Sequence, residues 1–560
     1  VSRAPAADRY EQRRKKLLES EVQLRPRNSR GVFETVLAYP NCYQVGMSSL
    51  GFQQVLLQLG NWPETICERA FLPEPDELNW RKRTGKPMVT LESGRSIRSC
   101  DLLGFSIAYE PDYVNALEMM RLSGIAPLSS DRDDKWPIVL AGGLCVTANP
   151  MPLSRFFDAM VIGESEPTLG PLLDTIKSMG SQGAGKKRIL RLLADLPGVY
   201  VPQLHGFSTP KATIMRQWAS AEAIGASSCI QASSSALGDM IMVEISRGCP
   251  YSCRFCLAGY AYLPYREGRL EDFSETLAGL PRGSRLGFVA CSPDSHPLFP
   301  EMVELARSGG HDVSIGSQRA EDPLQLKKDG FEETTLTIAP EAGSDGLRRV
   351  IGKSLRNEAI LRTVEAATGK VSRIRLYFIY GFPFETDEDR ESIVQLVRQI
   401  REKTDLPLSL SLNPFVPKPW TAFQWTAMAD LKDLRRWRDD LSRDFRRIPG
   451  VEFRFLGVHE AHIQALLARG DSRSAEALIY RLDGDSWSTA FARAGIAFDW
   501  VFSPLRPAQP FEWDFINMGF GHTRLARELG MAAAANCARL KPSDRQQVPS
   551  QVEVESSAFC

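Results

Sequence analysis

The sequence predicts an α/β protein in three parts: an N-terminal parallel-sheet domain, an open partial barrel of six β/α units, and a small C-terminal α+β domain. Three observations carry this prediction. Short apolar, β-branched runs alternate with amphipathic helical stretches, and such alternation means βαβ units whose sheet is covered on both faces. The alternation occurs twice, on either side of a segment poor in packing signal. The C-terminal quarter then changes character, becoming helical and rich in Trp and Phe. At 560 residues the chain has room for several domains of roughly 100–200 residues each.

Residues 1–30 read as a solvated basic helix, with Arg13, Arg14, Lys15 and Lys16, followed by a loop. Residues 31–182 form the first sheet domain. Its strands are expected at 32–38, 101–108, 137–141 and 159–162, and its helices at 44–59, through Val114, Leu117 and Met120, and at 167–179. In such sheets ligands bind at the carboxyl ends of the strands. Here those ends are the turns 39–49, 109–113, 142–149 and 163–166, where Gly142, Gly143 and Gly163 permit close backbone approach.

Residues 183–235 read as a linker, with a basic helix at 186–193 and a Ser/Ala-rich stretch around 226–236. Residues 236–425 carry six strands, at 240–245, 285–290, 312–316, 333–339, 373–380 and 408–413. A closed eight-stranded barrel takes about 250 residues, so this length favours a partial (β/α)6 barrel. Residues 426–540 form the α+β domain. A helix at 431–447 sets Leu434, Trp437, Leu441 and Phe445 on one face, a short strand follows at 452–456, and further helices lie at 461–468 and 473–482. Residues 541–560 are a polar tail.

Composition excludes several classes. Lys plus Arg is 68 and Asp plus Glu is 68, which speaks against bulk phosphate-backbone binding and gives no strong nucleic-acid signal. No apolar run approaches the ~18 residues of a membrane span, and the first 20 residues lack the apolar core of a secretory signal. Of 11 cysteines, eight are scattered and three are clustered, which fits a reducing cytoplasm better than a disulfide framework.

The clustered cysteines carry the chemistry. The run EISRGCPYSCRFC, residues 244–256, leaves a predicted strand and sets Cys249, Cys253 and Cys256 in CxxxCxxC spacing. Three thiolates on one loop suit three irons of a [4Fe–4S] cluster and leave the fourth iron open. The alternative is a zinc site, which wants four ligands; Cys291 and His296 are single and remote in sequence.

This loop, at the end of the first strand of a partial barrel, resembles the radical S-adenosylmethionine (SAM) superfamily. Further strand-end runs are similar to one largely uncharacterised group with an N-terminal cobalamin-binding-like domain: GFVACSPDSHP (287–297), SIGSQR (314–319), TIAPEAGSDGLR (337–348) and YFIYGFPFETD (377–387). GFSIAYEPDY (104–113), AGGLCVTANPMP (141–152) and FDAMVIGESE (157–166) resemble the loops of that group's Rossmann-like corrinoid domain, and PFVPKPWTAF (414–423) continues the likeness, which runs from about 30 to 535.

The resemblance implies that Cys249, Cys253 and Cys256 ligate the cluster, and that SAM is cleaved reductively to methionine and a 5′-deoxyadenosyl radical. Ser317, Arg319 and Glu341 would bind SAM polar groups, and Gly381 would let the backbone approach the adenine. Cobalamin would contact Tyr43, Gln44, Ser48, Ser106, Tyr109, Gly142, Gly143, Thr147, Asn149, Gly163, Glu164 and Glu166. No His precedes His205, so a corrinoid would be held without an imidazole from the N-terminal domain. The activity implied is cobalamin-dependent methylation of an unactivated carbon, fed by an external electron donor such as flavodoxin or ferredoxin. Two alternatives stand beside it: a radical rearrangement, cyclisation or sulfur insertion, RNA included as target, with a degenerate corrinoid domain; and a non-enzymatic iron–sulfur or corrinoid carrier. The sequence assigns no substrate.

Overall fold

The computed structural model describes residues 6–208, 210–314, 335–507 and 509–540. Six strands build the N-terminal sheet: β1 (Phe33–Tyr39), β2 (Thr65–Phe71), β3 (Leu102–Ser106), β4 (Ile138–Gly142), β5 (Ala159–Val161) and β6 (Val199–Tyr200). Their spatial order is β2-β1-β3-β4-β5-β6, all parallel except β6. β1, β3, β4 and β5 lie where their apolar runs place them. β2 was not expected, because Glu68 and Arg69 interrupt its pattern. Arg69 is fully buried and reaches Glu21 at 2.6 Å and Glu92 at 2.7 Å, so its charge is matched inside the fold. β6, only two residues long, falls in the expected linker.

The first helix after β1 starts later than expected. Tyr43–Gly46 forms a separate short turn, and the helix proper is Leu50–Asn61, begun by Ser49, whose hydroxyl accepts the Phe52 amide at 3.3 Å. The N-terminal helix Ala6–Glu19 lies against the helix Pro75–Thr84, with Arg13 donating to Asp76 at 3.0 Å.

The barrel region is a parallel α/β array in two sheets. β7 (Ile241–Glu244), β8 (Arg285–Val289) and β9 (Asp312–Ser314) form the first, in that order. β10 (Thr335–Glu341), β11 (Arg373–Tyr380), β12 (Leu408–Pro414) and β13 (Val451–Phe455) form the second. Among the described residues the strands do not close into a ring. β13 lies beyond residue 425 and still pairs in parallel with β12, so this strand extends the barrel sheet.

After β13 the chain is mainly helical: Val458–Ala468, Ser474–Leu482, Trp487–Arg493 and His522–Arg539. Among its aromatics Phe491 and Trp513 are buried, and Trp487, Phe498, Trp500 and Phe511 are partly buried against the same core. This region packs back on the N-terminal domain. The Asn149 amide donates to the carbonyls of Ala468 and Gly470 at 3.0 and 2.8 Å, and the Trp420 indole to Ala148 at 2.9 Å. One apolar core runs from Val36 and Leu103 of the first sheet through the barrel to Leu525 of the last helix. Among the described residues no helix is long and apolar enough to cross a membrane.

Candidate active site

The cysteine loop follows β7. Its stem, Ser246–Arg247, pairs antiparallel with Arg266–Glu267. Gly248 then takes φ +85°, and a Cβ there would stand 2.6 Å from the Tyr262 carbonyl oxygen, so the chain can turn here only as glycine. The Cys256 amide donates to the Cys253 carbonyl at 3.1 Å, which curls the loop. Arg254 fastens it from below. Its amide donates to Ile351 at 2.9 Å and its guanidinium to the carbonyls of Arg349 and Val350 at 3.0 and 2.7 Å. Phe255 meets Phe382 edge to face at 5.2 Å, bringing the Gly381 turn against the same loop.

Cys249, Cys253 and Cys256 are each half-buried. Desolvation pushes the Cys256 thiol up to about 12, with Cys253, Cys291 and Cys249 adding to the effect. Such a thiol stays protonated at neutral pH and loses its proton as it takes a metal. Among the described residues no three His, Cys, Asp or Glu side chains converge as one ion would require. Irons of a cluster each take their own thiolate, and three soft donors on one short loop fit that group.

A cavity of about 460 Å³ opens between the stem of this loop and the strand ends of the N-terminal sheet; Cys249, Cys253 and Cys256 are not among its lining residues. That volume falls in the roughly 300–1,000 Å³ range of cofactor sites. Leu37, Leu102 and Leu140 form an apolar wall, and Glu244, Ser246, Arg247, Gly248, Tyr262 and Cys291 close the barrel side. Apolar wall, strand-end glycines and a polar rim suit a large planar cofactor with polar substituents.

A buried ion-pair network joins the two walls. Glu164 Oε1 accepts from Arg266 at 2.6 Å. Its Oε2 accepts from Arg247 at 2.8 Å, Arg266 at 2.9 Å and the Ala219 amide at 2.8 Å. Arg247 also reaches Glu244 at 2.8 and 3.0 Å and Glu166 at 2.9 Å. Burial alone would raise the Glu164 carboxyl, but the hydrogen bonds from Arg266 and the charge of Arg247 hold it below its ordinary value.

Of the corrinoid-side residues named from the sequence, Ser106, Gly142, Gly143, Thr147, Gly163, Glu164 and Glu166 line this cavity. Five others lie elsewhere. Tyr43 donates to Glu21 at 2.6 Å and, with Gln44, lines a separate cavity beside the N-terminal helix. Ser48 donates to the Gln44 carbonyl at 2.7 Å, Tyr109 donates to Glu460 at 2.8 Å, and Asn149 is spent on the Ala468–Gly470 turn.

On the SAM side, Ser317 and Arg319 lie outside the described residues. Glu341 ends β10 after a register shift, at φ +64°, and takes Lys353 at 3.2 Å. Gly381 ends β11 at φ +79°, and its amide, like that of Phe382, is held by the Glu385 carboxylate. Sequence reasoning missed Arg266 and Tyr262, weighed Cys291 only as a zinc ligand, and gave Glu244 and Arg247 no role within the quoted run. The one available signal was Glu244 and Arg247, three apart and directly ahead of Cys249.

The fold sets three cysteines on one loop after a strand of a parallel α/β core. Family profiles match on both sides of the cavity: "Radical SAM proteins, N-terminal" over residues 51–202 and "Radical SAM superfamily" over residues 243–397. The chain is a radical SAM enzyme, and its family implies a [4Fe–4S] cluster and SAM. An uncharacterized protein of Methanocaldococcus jannaschii is 27% identical over 469 residues, covering 82% of this chain and 93% of that one. A tRNA-2-methylthio-N(6)-dimethylallyladenosine synthase of Herminiimonas arsenicoxydans is 23% identical over 231 residues, 38% of this chain and 52% of its own length. Among solved structures, the cobalamin-dependent S-adenosylmethionine radical enzyme OxsB aligns with a TM-score of 0.47 at 11% identity, over 93% of this chain and 82% of that one.

Proposed function

We propose that the chain is a cobalamin-dependent radical SAM enzyme that methylates an unactivated carbon. The observation that carries this is the shared cavity: strand-end residues of the N-terminal sheet form one wall and the stem of the cysteine loop forms the other. When bound, the cluster supplies the electron that cleaves SAM, and a corrinoid supplies the methyl group.

The chain's own residues do the rest. Cys249, Cys253 and Cys256 hold the cluster as thiolates. Glu341 and Gly381, at the ends of β10 and β11, would bind SAM, with Ser317 and Arg319 as further polar partners. Leu37, Leu102 and Leu140 keep water from the corrinoid face. Among the described residues that line the cavity there is no histidine, so a corrinoid held here would take no imidazole from this lining. An external low-potential donor, such as flavodoxin or ferredoxin, supplies the electron.

A second reading is sulfur insertion, favoured by the curated relatives named as methylthio-group enzymes. One experiment separates the two. The protein is reconstituted anaerobically with iron and sulfide, then given SAM and reductant with and without hydroxocobalamin. Methylation predicts that 5′-deoxyadenosine and S-adenosylhomocysteine both form and that the second depends on cobalamin. Cobalamin-independent formation of both overturns it in favour of sulfur insertion. Neither product, with a full cluster, counts against both.

A further inference from the structure

The cysteine loop is anchored from outside its own barrel. Arg247 stands two residues before Cys249, and its guanidinium has three carboxylate partners. Glu244 is local, on the same strand end. Glu164 and Glu166 come from the turn after β5, in the N-terminal domain. Glu164 is the hub. Its two oxygens take four hydrogen bonds from Arg247, Arg266 and the Ala219 amide, and its side chain is 5% exposed.

Arg266 pairs with Arg247 across the two-stranded stem. Glu164 therefore grips both strands of the stem from which the cysteine loop springs. Its own position is fixed as well. Gly163 has φ +113°, its amide donates to the Thr147 hydroxyl at 2.9 Å, and a Cβ there would stand 2.1 Å from the Gln217 carbonyl oxygen. Neither end of this contact has slack, and charge-assisted bonds in a buried setting hold direction as well as distance.

We propose that Glu164, although it belongs to the N-terminal domain, is a positioning residue for the cluster: through Arg247 and Arg266 it fixes the stem of the cysteine loop and so the orientation of the open coordination site toward SAM. The proposal rests on the radical SAM assignment alone and is independent of corrinoid binding. Outer partners of metal ligands change metal-site function by roughly 10–100-fold when removed.

The test uses the full chain with its cluster reconstituted and no cobalamin present. Iron content, thermal unfolding, SAM affinity, and the electron paramagnetic resonance spectrum of the reduced cluster with and without SAM are measured for wild type, Glu164→Gln, Glu164→Ala and Arg247→Lys. In Glu164→Ala and Arg247→Lys, iron content should stay near wild type, because all three cysteines remain. The SAM-bound spectrum should shift and the Kd for SAM should rise roughly tenfold or more. Glu164→Gln, which keeps the shape and the acceptor, should fall between.

A purely architectural role would lower the unfolding temperature and leave spectrum and affinity where they were; that result overturns the proposal. Should Glu164→Ala fail to fold, Arg247→Lys decides, since it keeps the charge and loses only the fork. A wild-type spectrum and SAM affinity in folded Arg247→Lys and Glu164→Gln together would sink the idea.

Discussion

Glu528, on the last helix, pairs with Arg254, the residue that follows Cys253, at 3.3 Å. Both side chains are mostly buried, at 14% and 8% exposure. Eleven residues further along the same helix, Arg539 donates to both Asp389 oxygens at 2.8 and 2.7 Å and to the Phe384 carbonyl. One helix therefore touches the cysteine loop and the Gly381 turn.

Arg254→Ala leaves Glu528 without its ion-pair partner and takes one donor from each of the Arg349 and Val350 carbonyls. Removing one member of a buried pair costs about 3–5 kcal/mol. The expected outcome is a loss of that order in denaturant unfolding, together with fewer irons bound per chain. An unchanged midpoint and full iron loading would show that the loop holds its shape unaided.

Cys253→Ala should abolish cluster formation and SAM cleavage, read as loss of the iron–sulfur absorbance and of 5′-deoxyadenosine. Cys291→Ser should retain both, since Cys291 lies in the turn after β8, outside the three-ligand loop. Iron loss in Cys291→Ser would make it a ligand. Chelation of iron from the wild type should reproduce the Cys253→Ala phenotype.

Glu385 gives a pH dependence with a defined sign. Burial pushes its carboxyl from an ordinary 4.5 up to about 7, against the pull of Arg390 and of the Phe382 and Gly381 amides, with Asp389 adding to the rise. The folded state therefore prefers the protonated form. Its contribution is full below about 4.5 and is lost as pH rises through about 7, by roughly 3 kcal/mol. Glu385→Gln should remove this component, so wild type should lose stability relative to the variant between pH 4.5 and 8. Parallel stability curves for the two would contradict the assignment.

Gly163→Ala should be among the more damaging single-methyl changes in the N-terminal domain. The residue sits at φ +113°, and the new Cβ would meet the Gln217 carbonyl oxygen at 2.1 Å. Strain of this kind costs about 1–3 kcal/mol before any clash is relieved. Denaturant unfolding reads the loss; a variant as stable as wild type would mean that the turn can be redrawn.

Much of the architecture was legible because buried parallel strands write themselves as apolar runs. β8, β11 and β12 lie within a residue of their expected limits. β2 was hidden because Arg69 is solvated by Glu21 and Glu92 instead of by water, a fact of tertiary structure with no local trace. β6 is too short to show periodicity. β13 reads as a strand, but its membership of the barrel sheet depends on pairing with β12.

At the site, spacing alone picked out the three cysteines. The corrinoid-side residues divide by position along their turns. Those at glycine-bearing strand ends line the cavity, whereas Tyr109 and Asn149 turn to the C-terminal helices. Arg247 and Arg266 were missed because a single arginine carries no pattern until Glu164 is brought beside it.

The buttress at Glu528 also sets a timetable for the chain's birth. Some 272 residues separate Cys256 from Glu528. At about 5–20 residues per second, a ribosome needs tens of seconds to cover that distance. Through that interval the three thiols exist on a loop whose last support has yet to be made, open to oxidants and competing metals. The Glu528 contact to this loop can thus form only once the last helix has been made, and a nascent chain stalled before residue 528 should present the cysteines in their most vulnerable form.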